Sequence, residues 1–217
     1  MKAVAEPSYR QRVGYQAGLL GGFATLAATL LVAGNMITKE PIAEQQRREL
    51  LNSLEKVIPT EIHDNDLLAD PITVQWQGVG EVIVYRAKYE GLVTAVAYRV
   101  TGKGYAGPIH CIMGIDASGR VLGVRVLAHT ETPGLGDKIE VQRDPWILSF
   151  NGLSWGNPPP DQWAVKKDGG GFDQFTGATI TARAVVDAVA EGLAYFEAEK
   201  SVLLASYAAV QSQLVVE

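Results

Sequence analysis

Asp173-Gln174-Phe175-Thr176-Gly177-Ala178-Thr179 sets two hydroxyls, a glycine and an alanine just ahead of an apolar run that opens with Ile180. The run carries Val185, Val186, Val189, Leu193 and Phe196 at helical spacing, which predicts a helix with one buried face. The heptapeptide therefore lies at a helix mouth. Unpaired backbone N–H groups and the positive end of the helix dipole favour an anion there, above all a phosphate. Gly177 and Ala178 leave room for a bulky group to come close to the chain. Taken alone, the segment is also compatible with an ordinary capped helix, with Thr176, Thr179 or Thr181 as the cap.

Upstream, Gly169-Gly170-Gly171 reads as a flexible approach to that mouth, 162–166 as a last strand, and Asn157-Pro158-Pro159-Pro160 as loop. The middle of the chain reads as sheet. Strands are expected at 72–76, 81–89 and 92–100, the last two joined by a Glu90-Gly91 turn. A further hairpin, 110–115 with 120–128, closes around Asp116-Ala117-Ser118-Gly119. Helix is expected over 137–141 and again from Pro145. The fold class is α+β: a twisted antiparallel sheet with helices packed on it.

A second motif follows the last strand of that hairpin. In His129-Thr130-Glu131-Thr132-Pro133-Gly134-Leu135-Gly136-Asp137-Lys138, the proline fixes one backbone angle and the glycines permit angles closed to other residues. Such a loop can aim amides at a ligand while Glu131 and Thr132 offer hydrogen bonds, or it can be a tight connection with a solvated glutamate.

At the other end, residues 13–38 contain no charged side chain. As a helix they would reach about 39 Å, enough to span a bilayer with some tilt. A soluble buried helix seldom stays uncharged for so long, and neither a signal-peptide cleavage site nor a lipoprotein cysteine follows. Lys2, Arg10 and Arg12 precede the span, while Lys39, Arg47 and Arg48 follow it, so charge bias nearly ties on topology. A short inner tail with the long domain outside is the expected arrangement. Pro41 marks the exit from the bilayer. A juxtamembrane helix is expected over 42–58, with Leu50, Leu51, Leu54, Val57 and Ile58 on one face packed against the domain and Pro59 as its stop.

Composition narrows the function classes. With 47% hydrophobic residues and 20% charged, the 217-residue chain can build a core, and a net charge of −5 with no basic run argues against nucleic acid. Cys111 is the only cysteine, so no intrachain disulfide forms. His63, His110 and Cys111 lack partners at metal-ligand spacing, and no metal is expected. Trp146, Trp155 and Trp163 could stack on a planar cofactor, with core or surface packing as the default.

Residues 173–179 resemble the flavinylation motif D-x-x-(S/T)-G-A-T, whose last residue carries FMN through a phosphoester. Gly104-Tyr105-Ala106-Gly107-Pro108-Ile109, the His129–Gly136 loop and Phe172 through Thr181 occur in that order after an N-terminal span. Together they resemble the G-type flavoprotein of the Rnf ion-translocating electron transport complex over essentially the whole chain. The C-type flavoprotein of the Na+-translocating NADH:quinone reductase shares the flavin domain, but is usually longer and reads differently at 104–109.

The resemblance implies a flavoprotein component of a bacterial inner-membrane complex that couples electron transfer between ferredoxin and NAD to ion movement. It divides the chain into a cytoplasmic tail (1–12), a transmembrane helix (13–38), a juxtamembrane helix (39–60), an extracytoplasmic FMN-binding domain (61–200) and a C-terminal tail (201–217). Thr179 would carry FMN, installed from FAD by a magnesium-dependent flavin transferase. Glu131, Thr132, Gly134, Leu135, Gly136, Thr176, Gly177 and Ala178 would form the cofactor site. Arg183 would add positive charge near the phosphate, and Asp173 would be read by the transferase or cap a turn. The other partners implied are the remaining membrane subunits; the chain itself is an electron carrier within a larger enzyme. A scaffold protein without cofactor, and a sensor with a noncovalent ligand, are the rival classes.

Overall fold

The structure, a computed structural model, describes residues 13–205, so the expected tail at 1–12 and residues 206–217 of the C-terminal tail lie outside it. The chain forms two compact units, Met1–Glu49 and Leu50–Glu217.

In the first unit the apolar stretch lies in helix α1, Val13–Glu55, which is long and apolar enough to cross a membrane. Its apolar side chains, among them Leu20, Phe23, Leu30 and Leu31, are exposed rather than packed into a core. A helix that turns leucine and phenylalanine outward over this length is at home in hydrocarbon rather than water. The helix expected over 42–58 is not a separate element: α1 continues through Pro41 and ends at Glu55, short of Ile58. A proline removes one intrahelical donor. The flanking run of Glu44, Gln45, Gln46, Arg47, Arg48, Glu49, Leu50 and Leu51, all strong helix formers, carries the helix past it.

The second unit is built on five antiparallel strands in sequence order: β1 (Ile72–Trp76), β2 (Gly80–Tyr89), β3 (Leu92–Lys103), β4 (Pro108–Asp116) and β5 (Val121–Ala128). The tight turns fall where their residues demand. Glu90 and Gly91 adopt φ of 49° and 81°, as a two-residue hairpin loop requires. Asp116 Oδ1 accepts bonds from the N–H groups of Ser118 and Arg120, which ties the second hairpin. β3 and β4 run further than expected, to Lys103 and from Pro108, and Gly104 N–H closes their turn on Gly107 O at 2.9 Å.

Helix α2 (Thr179–Leu203) covers one face of this sheet. Val185, Val186, Val189, Leu193 and Phe196 are fully buried, each worth about 1.5–3 kcal/mol by transfer from water. Tyr98 Oη donates to Gly192 O at 2.8 Å within the same core, so its one polar group stays satisfied. The other face is covered by Leu54, Val57 and Ile58, packed against Ala87, Ala95, Ala97 and Ile112, the side expected for that apolar stripe.

Between β5 and α2 the chain forms short turns instead of regular elements. The helix expected at 137–141 is a single 3-10 turn, Asp137–Ile139. From Pro145 there is again a 3-10 turn, Pro145–Phe150, capped by Asp144 Oδ1 accepting from Trp146 N–H. The strand expected at 162–166 is absent; the 3-10 turns Pro160–Gln162 and Lys166–Asp168 occupy the region. Only Val165 makes a bridge, to Phe172, because Lys166 N–H and Ala164 O bond Phe172 across the three glycines rather than a sheet edge. Trp146, Phe150, Trp163, Phe172 and Phe175 form one ring cluster, edge-on at Trp146 and stacked on Phe150 by Trp163 and Phe172, which holds these turns against the core.

Candidate cofactor-binding site

The mouth of α2 is shaped by the heptapeptide at 173–179. Phe175 is buried, and its carbonyl accepts from Ala178 N–H at 3.1 Å, folding residues 175–178 into a turn. Gly177 takes φ +85° at that turn, a left-handed angle costly to any side chain. Ala178 is the N-cap and Thr179 the first helical residue, one position earlier than expected. No side chain caps the helix, so the capping roles considered for Thr176, Thr179 and Thr181 are not taken up. The first-turn N–H groups are thus left to a ligand or to water. Thr179 is half-buried, whereas Thr176 is exposed.

The facing wall comes from the loop after β5. Leu135 and Gly136 N–H both bond Thr132 O, at 3.2 and 3.0 Å, with Gly134 at the bend. Glu131 is buried, 4% exposed, and joins three segments. Its Oε1 accepts from Ala106 N–H at 2.9 Å, its Oε2 accepts from Thr181 Oγ1, and its own N–H bonds His129 Nδ1 at 3.1 Å. A buried carboxylate spanning the 104–107 turn and the first turn of α2 fixes the distance between the two walls. Gly136 must be glycine for that contact: a Cβ there would come within 2.8 Å of Glu131 Cβ.

The walls enclose a cleft of about 630 Å³, within the usual range of roughly 300–1,000 Å³ for small-molecule sites. Of the residues expected in the site, Glu131, Thr132, Leu135, Gly136, Gly177, Ala178 and Thr179 line it together. Gly134, Thr176 and Asp173 do not. Tyr105, Lys167, Ile180 and Thr181 complete the lining. Tyr105 and Thr181 sit inside the sequence motifs, but Lys167 follows a segment read as strand and carried no local signal. Tyr105, Leu135 and Ile180 offer exposed apolar surface.

Charge at the mouth differs from expectation. Arg183 pairs with Asp168, Nε–Oδ2 at 2.7 Å and Nη2–Oδ1 at 3.0 Å, and does not line the cleft. The Arg183 hydrogen bond lowers the Asp168 carboxyl pKa and raises that of the guanidinium, so each charge is committed to the other. Lys167 supplies the available cation: it lines the cleft and forms no salt bridge among the described residues. Asp173 faces elsewhere. Its Oδ1 accepts from Lys166 Nζ at 2.6 Å, its carbonyl accepts from Trp146 Nε1 at 2.8 Å, and it caps no turn among the described residues.

The remaining candidates fall outside the cleft. Trp146 and Trp163 are core residues of the aromatic cluster, and Trp155 packs against the same core. His110 bonds Thr101 Oγ1, and Cys111 is buried in β4 with its thiol pKa pushed up to about 12 by burial. No group of three or more His, Cys, Asp or Glu side chains suited to a metal ion occurs among the described residues.

Residues 104–194 match the family described as FMN-binding domain, and residues 2–57 match the RnfG N-terminal region. The G-type component of the ion-translocating oxidoreductase complex of Stutzerimonas stutzeri is 49% identical over 194 residues, covering 89% of this chain and 85% of that one. The protein of the same description from Cereibacter sphaeroides is 49% identical over 187 residues, covering 86% and 85%. Among solved structures, Shewanella oneidensis NqrC aligns with a TM-score of 0.45 and 22% identity, covering 70% of this chain and 73% of that one.

Proposed function

The chain belongs to the RnfG family, the G-type components of ion-translocating oxidoreductase complexes, and from that premise we propose that it relays electrons through FMN esterified to Thr179. The observation that carries this reading is the convergence at one cleft of an uncapped helix N-terminus, the Thr179 hydroxyl and a lysine, Lys167, that forms no salt bridge among the described residues. Those three groups suit a phosphate that becomes a diester on attachment: dipole, covalent anchor and counter-charge. Leu135, Ile180 and Tyr105 provide apolar surface for a planar ring system, and Glu131 keeps the walls at fixed separation.

When bound, FMN supplies the redox chemistry. The protein's part is to hold and orient it. Attachment would join the Thr179 oxygen to the FMN phosphorus, with the pyrophosphate bond of FAD broken, AMP as leaving group and the hydroxyl proton released. Catalysis of that exchange belongs to a separate flavin transferase. A covalent tether keeps the carrier in its cleft whatever its noncovalent affinity.

In this reading α1, long and apolar enough to span a bilayer, anchors the protein in the bacterial inner membrane, and the sheet domain lies on the outer side. A phosphatase fused after Glu217 is expected to be active only in that orientation. For the flavin, denaturing gel fluorescence is decisive among the rival classes. A yellow-green band after coexpression with the transferase, lost in Thr179→Val, fits the covalent relay alone. A dark wild-type band fits a scaffold or a noncovalent binder.

A further inference from the structure

A second recess, of about 510 Å³, shares no lining residue with the cleft at Thr179. It opens between the end of β5 and the turn at 140–142. β5 is the last strand of the sheet, so among the described residues one of its sides has no strand beside it. Near its start that side is occupied, where Val121 exchanges bonds with Leu153 O and Gly152 N–H. Further along, Val126, Leu127 and Ala128 border the recess instead. An edge of this kind is a template for another extended segment.

The side chains around it are cationic and under-used. Arg125 is half-buried, and its guanidinium donates to a neutral carbonyl, Val124 O at 2.7 Å, with no carboxylate partner among the described residues. Burial alone lowers its pKa, as expected for a cation drawn out of water without a counter-ion. Lys56 is exposed and makes no ion pair among the described residues. Glu140 is the only acid lining the recess, and its carboxylate is held by His129 Nε2 at 2.8 Å. The recess is thus basic on a chain whose net charge is −5.

We propose that this recess docks an extended, carboxylate-bearing segment of another protein of the complex. One Asp or Glu of that segment reaches Arg125 and Lys56, and its backbone runs beside the open side of β5. The guanidinium fork matches a carboxylate, and charge complementarity fixes the register of the incoming strand. A strand edge that no described segment covers at 126–128, with cations beside it, favours a peptide over a free anion, which would leave that edge uncovered. The proposal rests on family membership and is independent of the flavin at Thr179.

The test uses the full chain, tagged, in the complex purified from its native host. Lys56→Glu with Arg125→Glu is expected to cut recovery of the other subunits at least about tenfold, and Lys56→Glu alone about threefold. Arg125→Lys, which keeps the charge but loses the fork, is expected to retain more than Arg125→Glu and less than wild type. Carbodiimide treatment of the wild-type complex is expected to link Lys56 to a carboxylate on a neighbouring protein. Flavin fluorescence of the chain on denaturing gels stays unchanged in every variant, which separates failure of docking from failure of the cofactor reading. Should Arg125→Glu lower thermal stability, the surface variant Lys56→Glu and the cross-link decide. Wild-type recovery in the charge-reversed variants, or no cross-link from Lys56 to a neighbouring protein, overturns the proposal. So does binding of inorganic phosphate to the isolated chain with assembly unaffected by the variants, since that marks a small-anion site only.

Discussion

Thr179 and Thr176 both carry hydroxyls within the same seven residues, yet their surroundings separate them. Thr179 opens α2 and lines the cleft, while Thr176 is exposed and lies off it. Thr179→Val is therefore expected to abolish covalent flavin, and Thr176→Ala to reduce it partially, both read by in-gel fluorescence. Equal and total loss in the two variants would leave the acceptor unassigned. Glu131 bears on stability as well as on the site. Glu131→Ala strips the acceptor from Ala106 N–H and Thr181 Oγ1 and is expected to cost about 2–4 kcal/mol in urea unfolding. Glu131→Gln, which keeps one acceptor oxygen, is expected to cost less. These roles were only partly open to a reading of the sequence. The motif residues could be named because glycine and hydroxyl spacing is a local signal. That Glu131 would brace α2 was not legible, since its partner Thr181 lies 50 positions away.

The elements most legible in the sequence were those governed by local rules. Alternating β-branched strands joined by Glu90-Gly91 and Asp116–Gly119 gave the meander, and the periodic apolar stripe gave α2. The segment from 137 to 178 was less so. There tertiary packing of Trp146, Phe150, Trp163 and Phe172 overrides propensity, and 3-10 turns stand where a helix and a strand were expected. Lys167 was missed for the same reason: the turn Lys166–Asp168 brings it to the cleft, and no periodicity marks it. Between the sheet and the end of α2 runs an ion-pair network with its own pH signature. Buried Arg86 on β2 donates to Asp70 Oδ2 at 2.8 Å and to Ala205 O at 3.0 Å, and Lys88 Nζ reaches the same carboxylate at 2.6 Å. The Lys88 hydrogen bond, together with Arg86, holds the Asp70 pKa below its ordinary 3.8. A depressed folded value means the contribution is present above the ordinary pKa and is lost as pH falls through the folded one. Wild-type stability is thus expected to drop as pH falls below about 4, and Asp70→Asn to be less stable at neutral pH with a flatter acid limb. Parallel acid limbs in urea titrations would contradict this assignment.

At the scale of the molecule, an apolar helix that turns its side chains outward joins a chain segment whose core is closed on both faces of one sheet. Cys111 reports on that core. Its thiol is buried in β4 with a pKa pushed up to about 12, so alkylation at pH 8 is expected to require opening of the core and to be far slower than in urea-unfolded protein. Prompt labelling of the folded protein would show the core to be open. The proposed covalent flavin likewise depends on the whole chain, since export and maturation would have to precede modification of one hydroxyl. Its most direct test is the intact mass of protein matured in its native host, followed by peptide mapping. The expected result is a gain of one FMN less one water on the peptide containing Thr179, absent from Thr179→Val. A wild-type chain at its unmodified polypeptide mass would contradict the account.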